Sequence, residues 1–272
     1  MKTPKQFLIL LVVILFGGLE IGSAQNISDQ LKWIKSINIS SRIISCDNIG
    51  NLYAVAQQEI LKYDNNGNLL QKNSVKNWGE LYQLDVSNPM KIIAYYKDYN
   101  KIVFFDNMLA NTGNSIDLSE LGYDQATLVC NSHDNGLWLY NSINFELVRF
   151  DLALKVTHQS GNIAQLTNTN INPSILIENN NKVYLCDSVN GVFVFDIFGT
   201  YIKTIPLRNI NSLQVVNDVL YFRNKEGFGS FNSVLLKQEE IFFPDDDILQ
   251  VSLQKGRVYM RYSDKIAIYN YK

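Results

Sequence analysis

Hydrophobic positions along the chain group into short segments that are rich in Val, Ile, Leu, Tyr and Phe, with Gly, Asn and Asp between them. Beyond the first 24 residues, no stretch of useful length repeats with the period of an α-helix. Val189-Asn190-Gly191 contains Asn-Gly, a strong hairpin signal because both residues accept positive φ. The pattern therefore predicts an all-β chain whose neighbouring strands pair as hairpins.

Six consecutive units repeat one arrangement of strands. Each has an apolar first strand, a polar turn, a second strand rich in Tyr, Val and Leu, a third strand that ends in an aromatic residue followed by Asp or Asn, and a weaker fourth strand. The terminal pairs recur every 36 to 45 residues at Tyr63-Asp64, Phe105-Asp106, Phe150-Asp151, Phe195-Asp196, Phe231-Asn232 and Tyr269-Asn270. A period of about 40 residues made only of strands is typical of β-propeller blades. The sequence predicts a single six-bladed β-propeller of four-stranded antiparallel blades.

The last unit ends at its third strand, with Tyr269-Asn270. Near the other end, Leu31–Ile37 precedes the first complete unit and is similar to the fourth strand Tyr201–Ile205. We therefore expect this N-terminal strand to complete the last blade, an arrangement that leaves no open seam in the ring.

Two third-strand ends carry a resemblance to a known group of proteins. Lys62-Tyr63-Asp64-Asn65-Asn66-Gly67 and Phe195-Asp196-Ile197-Phe198-Gly199 resemble the NHL-repeat and related bacterial six-bladed propeller families. The resemblance covers essentially all of residues 25–272. It implies the fold and leaves the activity open, because propellers host unrelated functions.

Residues 1–24 have the layout of a secretory signal peptide. Two lysines precede the apolar run Phe7–Phe16, and Gly22-Ser23-Ala24 provides small residues before the expected cleavage site. An uncleaved anchor is the alternative, although the run is shorter than the roughly 20 residues of a transmembrane helix. We expect an exported propeller of residues 25–272, in the periplasm, at the cell surface or outside the cell, without a membrane span after cleavage.

Charge and motifs exclude several function classes. The chain has 24 basic and 26 acidic residues and a net charge of −2, with no basic run, so we expect no nucleic-acid partner. No phosphate loop, nucleotide fingerprint or Cys/His cluster is present, so we expect no cofactor. Cys46, Cys130 and Cys186 lie in apolar strand patterns and are interpreted as small buried hydrophobes, with a Cys46–Cys130 disulfide as the alternative.

The residues that could perform catalysis are few. His133 falls in a turn and His158 on an outer strand, so we expect neither a shared metal site nor a catalytic triad. Asp245-Asp246-Asp247 is interpreted as a solvated loop, with part of a Ca²⁺ or basic-partner site as the alternative. The repeated Asp is interpreted as an acceptor for turn N–H groups, since Asn232 and Asn270 would serve equally well there.

Binding residues are expected on loops at one end of the channel, because propellers present ligand-binding loops on rigid blades. The candidates on such loops are Trp78, Tyr99, Tyr123, Arg208, Asp245, Asp246 and Asp247. For the aromatic residues, packing between blades is the alternative. Ser160–Pro173, the longest inter-blade segment, is interpreted as a plain surface loop or a contact region.

We predict a non-catalytic, exported binding module with a protein partner. One alternative is a propeller hydrolase or lyase that uses a calcium ion in its channel. Another is a propeller that binds a glycan or small ligand, since aromatic side chains stack on sugar rings.

Overall fold

The computed structural model describes residues 25–26, 31–74, 77–243, 245 and 247–271, and the predicted signal peptide lies outside these residues. Six sheets form a ring, and each contains four antiparallel strands. The six-bladed β-propeller predicted from the repeat is confirmed.

The strands are numbered in chain order, and β1 (Gln25–Asn26) and β2 (Leu31–Ile37) precede the first blade. Blade 1 contains β3 (Ile43–Cys46), β4 (Leu52–Ala56), β5 (Glu59–Tyr63) and β6 (Leu69–Ser74). Blade 2 contains β7 (Gln83–Asp85), β8 (Ile92–Tyr96), β9 (Lys101–Phe105) and β10 (Asn111–Asp117). Blade 3 contains β11 (Ala126–Asn131), β12 (Leu137–Asn141), β13 (Glu146–Phe150) and β14 (Val156–Gln159).

Blade 4 contains β15 (Pro173–Asn179), β16 (Lys182–Asp187), β17 (Gly191–Asp196) and β18 (Tyr201–Ile205). Blade 5 contains β19 (Ser212–Val216), β20 (Val219–Arg223), β21 (Phe228–Asn232) and β22 (Lys237–Phe242). Blade 6 contains β23 (Gln250–Gln254), β24 (Arg257–Arg261) and β25 (Ile266–Tyr271).

The outer strand of blade 6 is β2. It pairs antiparallel with β25, from Leu31 opposite Tyr271 to Ile37 opposite Ile266. Residues that are far apart in the sequence therefore share one sheet. β1 adds a short fifth strand to blade 5 by pairing in parallel with β22, a contact that the sequence pattern did not predict.

The hydrophobic core lies between the blades. Six clusters of buried side chains each join two neighbouring sheets, and one of them joins blade 6 to blade 1 through Tyr259, Ile44 and Leu52. In blades 1 to 4 the second and third strands are covered on both faces, which explains their nearly continuous apolar sequences. Trp138 and Tyr53 on second strands are fully buried, and burying a large apolar side chain contributes about 1.5–3 kcal/mol.

The turn after the third strand is held by the repeated carboxylate. The Asp side chain accepts backbone N–H groups two and four residues further on, at 2.8–2.9 Å, in Asp64, Asp106, Asp151 and Asp196. Asn232 accepts the N–H groups of Val234 and Leu235. The structural interpretation of these residues is therefore confirmed.

The prediction was wrong for Asn270. Its Oδ1 accepts a hydrogen bond from Arg257 Nη1 at 2.7 Å. Within the described residues no turn leads from Asn270 into a fourth strand of blade 6, because β2 takes that place in the sheet.

Glutamine side chains join the innermost strands of adjacent blades. Gln250 Nε2 donates to the Ile44 carbonyl at 2.9 Å, and its Oε1 accepts the Ile44 N–H at 3.2 Å. Gln83 makes the same pair of bonds with Val129. Gln214 does so with Leu253. These amides satisfy backbone groups on first-strand edges that no further strand covers.

Two local details differ from the sequence-based expectation. A short helix, α1 (Ile163–Thr167), lies within the long segment between blades 3 and 4, and the Asn162 side chain caps it by accepting the Gln165 N–H. At the Asn190-Gly191 hairpin only Gly191 has positive φ, because the Asp187 carboxylate holds the turn by accepting the Asn190 N–H.

Candidate functional site

The propeller has two faces with different loops. We define the upper face by the loops that join second to third strands and fourth strands to the next blade. All described candidate binding residues lie on upper-face loops: Trp78, Tyr99, Tyr123, Arg208, Asp245 and Asp247. Asp246 lies outside the described residues.

Two of these candidates meet on blade 2. The Trp78 and Tyr99 rings pack edge to face, with centroids 6.1 Å apart and planes at 74°. The Lys101 ammonium lies 4.7 Å from the centre of the Trp78 ring. Gly79 has a φ of +71°, and a Cβ there would lie 3.3 Å from the Tyr99 ring. The close approach of the two loops therefore depends on this glycine.

Another exposed aromatic residue, Tyr82, precedes the first strand of the same blade, whereas Trp78 is half-buried against the core between blades 1 and 2. Its ring packs edge to face against Tyr95 at 6.2 Å, and the Lys97 ammonium lies 4.8 Å from its centre. Tyr82 also lines the upper mouth of the channel. We call Trp78, Tyr82, Tyr99, Lys97 and Lys101 the aromatic platform.

Sequence reasoning missed Tyr82 because a tyrosine just before an apolar strand resembles a core residue. Its exposed fraction is 41%, compared with 0% for Tyr95. Two sequence signals for exposure are available: the charged residue Glu80, two positions before Tyr82, and the turn that precedes Glu80.

Tyr123 is part of the packing between blades 2 and 3. Its ring contacts Phe150 edge to face at 5.4 Å, and its carbonyl accepts Asn100 Nδ2 at 2.8 Å. Burial, with a smaller contribution from the Glu146 charge, raises the pKa of the Tyr123 hydroxyl. Tyr123 therefore packs between two blades, which was the alternative interpretation for the aromatic candidates, and it is not part of the aromatic platform.

The remaining candidates are exposed on other loops. Arg208 lies between blades 4 and 5, and Asp245 and Asp247 lie between blades 5 and 6. Asp245 Oδ1 accepts the Asp247 backbone N–H at 3.0 Å, which makes a local turn.

The channel contains a cavity of about 740 Å³, lined mainly by first strands. Its lining combines aliphatic residues such as Leu84 and Leu176 with serine and glutamine side chains. Arg42 lies at the upper end and makes an ion pair with Glu80 at 2.9 Å. Asp85 lies towards the lower end, where its carboxylate accepts the Ser87 and Asn131 N–H groups.

The two histidines lie apart, as predicted. His133 is on the lower face, where its backbone N–H donates to Glu178 at 2.8 Å and its Nδ1 lies 3.3 Å from the same carboxylate. His158 is on β14, with its ring 5.4 Å from that of Phe198. Within the described residues, no group of three or more His, Cys, Asp or Glu side chains gathers as a metal site.

All three cysteines are free thiols. Burial raises the pKa of both the Cys46 and the Cys186 thiol to about 12, and it raises that of Cys130 as well. The interpretation as buried small hydrophobes therefore describes Cys130 and Cys186 well, while Cys46 is partly exposed.

Comparisons with solved structures agree with the fold. A catalytically inactive histidine-to-alanine variant of virginiamycin B lyase from Staphylococcus aureus with quinupristin is 14% identical, with a TM-score of 0.57 over 84% of this chain and 80% of that one. BamB from Moraxella catarrhalis is 10% identical, with a TM-score of 0.56 over 89% and 98%. The WD40 domain of Neurospora crassa Pan2 is 9% identical, with a TM-score of 0.64 over 91% and 98%.

At sequence identities this low, the comparisons show the fold alone. They confirm the resemblance to β-propeller proteins as a resemblance in fold. No family model matches the chain, and no curated protein matches it. None of the helices in the described residues has the length and apolar character needed to cross a bilayer.

Proposed function

We propose that this protein is a non-catalytic binding module that contacts a protein partner through the upper face of the ring. The aromatic platform of blade 2 is the observation that carries this proposal. Tyr99 and Tyr82 have exposed fractions of 55% and 41%. The Lys97 ammonium lies over the Tyr82 ring, and the Lys101 ammonium lies over the Trp78 ring that Tyr99 contacts. We also propose that the protein acts outside the cytoplasm, because residues 1–24 have the layout of a signal peptide.

The platform has the physical features of a binding hot spot. Aromatic residues supply large contact area with few rotatable bonds, and they dominate binding energy at many interfaces. The contacts of Tyr99 with Trp78 and of Tyr82 with Tyr95 restrain these rings before any partner binds. A pre-ordered surface loses less conformational entropy on association, which favours affinity.

A lyase activity is the second candidate, because one structural neighbour is a lyase. That neighbour becomes inactive when a histidine is replaced by alanine. In this chain His133 is bonded to Glu178 on the lower face, and His158 lies on an outer strand. Neither histidine lines the described channel cavity, so we favour the binding module.

The test is a cross-linked pull-down of tagged protein from its native envelope and culture fluid. We compare wild type with Tyr99→Ala and with Lys101→Gln, and Trp33→Ala is the matched control. Trp33 is 60% exposed but lies on β2, at the outer edge of blade 6. We expect a partner that wild type and Trp33→Ala capture equally, with at least tenfold weaker binding to Tyr99→Ala.

Two results would contradict the proposal. One is the recovery of no protein partner by wild type at good yield. The other is equal capture by wild type and both platform variants. If the purified protein instead binds oligosaccharides and Tyr99→Ala removes that binding, the glycan alternative replaces the protein partner.

A further inference from the structure

The turn between β21 and β22 of blade 5 exposes three consecutive aliphatic residues. Val234, Leu235 and Leu236 have exposed fractions of 67–71%. The turn belongs to the lower face of the ring, which carries the loops that join first to second strands and third to fourth strands. We call Val234-Leu235-Leu236 the apolar turn.

The backbone of the apolar turn is held in place by side chains on both sides of it. Asn232 Oδ1 accepts the Val234 N–H at 3.0 Å and the Leu235 N–H at 2.9 Å. Lys203 Nζ, on the outer strand of blade 4, donates to the Ser233 carbonyl at 3.0 Å. A fixed turn therefore presents the three aliphatic side chains to the surroundings.

The fold does not require apolar residues at this position. The corresponding turn of blade 1 has the polar sequence Asp64-Asn65-Asn66-Gly67, and the Asp64 carboxylate holds it by accepting turn N–H groups at 2.8–2.9 Å. The same kind of turn therefore forms without aliphatic side chains, so turn geometry does not explain the apolar turn of blade 5.

The backbone conformation of Leu236 adds a second observation. Its φ of +54° lies in the left-handed region, which strains a leucine. Leu109 and Leu154 have similar φ values in blades 2 and 3, but Leu109 is buried and Leu154 packs against the core between those blades. Leu236 gains no such burial within the described residues. Strained residues that the fold does not bury are often retained for function.

The corresponding turns of the three preceding blades each expose a large apolar residue as well. These residues are Met108 in blade 2, Leu152 in blade 3 and Phe198 in blade 4. Because each belongs to a different blade, the ring distributes them along its lower rim. The exposed apolar side chains of blades 2 to 5 thus follow one another around one face of the molecule.

This arrangement favours a lipid surface over a protein partner. A stable protein interface buries a continuous area of about 800 Å² on each side, which one short turn and single side chains on separate blades do not supply. A lipid surface needs no complementary shape, since each inserted side chain contributes its own transfer free energy. The chain has a net charge of −2 and no basic run, so apolar insertion and not attraction to anionic lipid would drive binding.

We infer that the apolar turn of blade 5 inserts into the interfacial region of a lipid bilayer, and that Met108, Leu152 and Phe198 extend this contact along the lower rim. The inference goes beyond the proposed function, because the lower face lies opposite the aromatic platform. A ring that rests on a bilayer in this way leaves its upper face open to a protein partner.

Flotation of residues 25–272 with lipid vesicles tests the inference, because this form lacks the apolar run of the predicted signal peptide. One set of vesicles contains phosphatidylcholine alone, and a second set also contains phosphatidylglycerol. We expect wild type to bind both sets with similar affinity, because binding depends on apolar insertion. Leu235→Asn/Leu236→Gly, which introduces the residue types of Asn66-Gly67 in blade 1, should weaken binding at least about tenfold.

Val189→Asn is the matched control, because it replaces an exposed aliphatic residue in an upper-face hairpin of blade 4. It should bind vesicles as wild type does. The double variant should fold normally, since asparagine and glycine are typical turn residues, and thermal unfolding checks this. If the double variant does not fold, Leu235→Asn alone replaces it in the assay.

Three results would overturn the inference. One is the absence of wild-type binding to either set at about 1 mM lipid, where an association constant of about 10⁴ M⁻¹ is readily detected. If light scattering then finds a dimer that the double variant does not form, a second copy occupies the apolar turn. Another is equal binding by wild type and the folded variant. The third is binding only to vesicles with phosphatidylglycerol that salt abolishes, which would indicate attraction by surface charge.

Discussion

Replacing Glu178 with alanine should destabilise the ring at the interface between blades 3 and 4. The Glu178 carboxylate accepts the Trp138 Nε1–H at 2.7 Å, the His133 N–H at 2.8 Å and the Ser132 hydroxyl at 2.6 Å. Trp138 is fully buried, so its indole N–H depends on the Glu178 carboxylate as its acceptor. Each buried donor left without a partner costs about 1–3 kcal/mol, so loss of the acceptor for the Trp138 indole N–H and the His133 N–H together costs about 2–6 kcal/mol.

The assay is urea unfolding followed by tryptophan fluorescence at neutral pH. Trp138→Phe removes the donor, so the double variant Glu178→Ala/Trp138→Phe should lose about 1–2 kcal/mol less than the sum of the single losses. Glu80→Ala is the control, because Glu80 is 65% exposed in its ion pair and its removal should change stability by less than about 1 kcal/mol. A loss below about 1 kcal/mol for Glu178→Ala, or strictly additive single losses, would refute this account of the interface.

Three further results are expected. Gly191→Ala should lower the free energy of unfolding, measured by urea titration, by about 2 kcal/mol or more. The new Cβ would lie 2.4 Å from the Ile205 carbonyl oxygen, and the residue has a φ of +112°. Unchanged stability would contradict this close approach. The Cys130 and Cys186 thiols should react with a thiol reagent only after unfolding, because both are buried and burial raises their pKa; rapid labelling of either thiol in native protein would contradict this. The hydrogen bond from Lys182 lowers the pKa of Asp218 in the folded protein. The ionised Asp218 carboxylate should therefore stabilise the fold above the ordinary Asp pKa of about 3.9, and this stabilisation should disappear as the pH falls through the lower folded-state pKa. Asp218→Asn should therefore be less stable than wild type at pH 7 and equal to it in strong acid, and a difference that persists in acid would contradict the assignment.

The fold was predictable because its signals are local and repeated. An aromatic residue followed by Asp or Asn recurs at the third-strand end of every blade and gives the blade count directly. In blades 1 to 5 it marks a turn whose hydrogen bonds involve only neighbouring residues, as at Asp64 and Asp196. The exceptions have local causes as well, since Asn270 bonds to Arg257 instead and Asn162 supplies an isolated helix cap.

The candidate site was less predictable because it depends on which loops the ring brings together. Trp78 and Tyr99 could be selected as aromatic residues on loops, but their contact follows from the packing of two loops of blade 2.

The pairing of β2 with β25 makes blade 6 a composite of one early strand and the last three described strands. During synthesis, the segment Leu31–Ile37 leaves the ribosome long before Ile266–Tyr271 exists, so the final blade forms only after the rest of the ring. Until then β2 has no intramolecular partner and β25 would present an unpaired edge. At high concentration the β2 segment of a second copy would fit that edge equally well, so strand exchange between chains is the expected misassembly route.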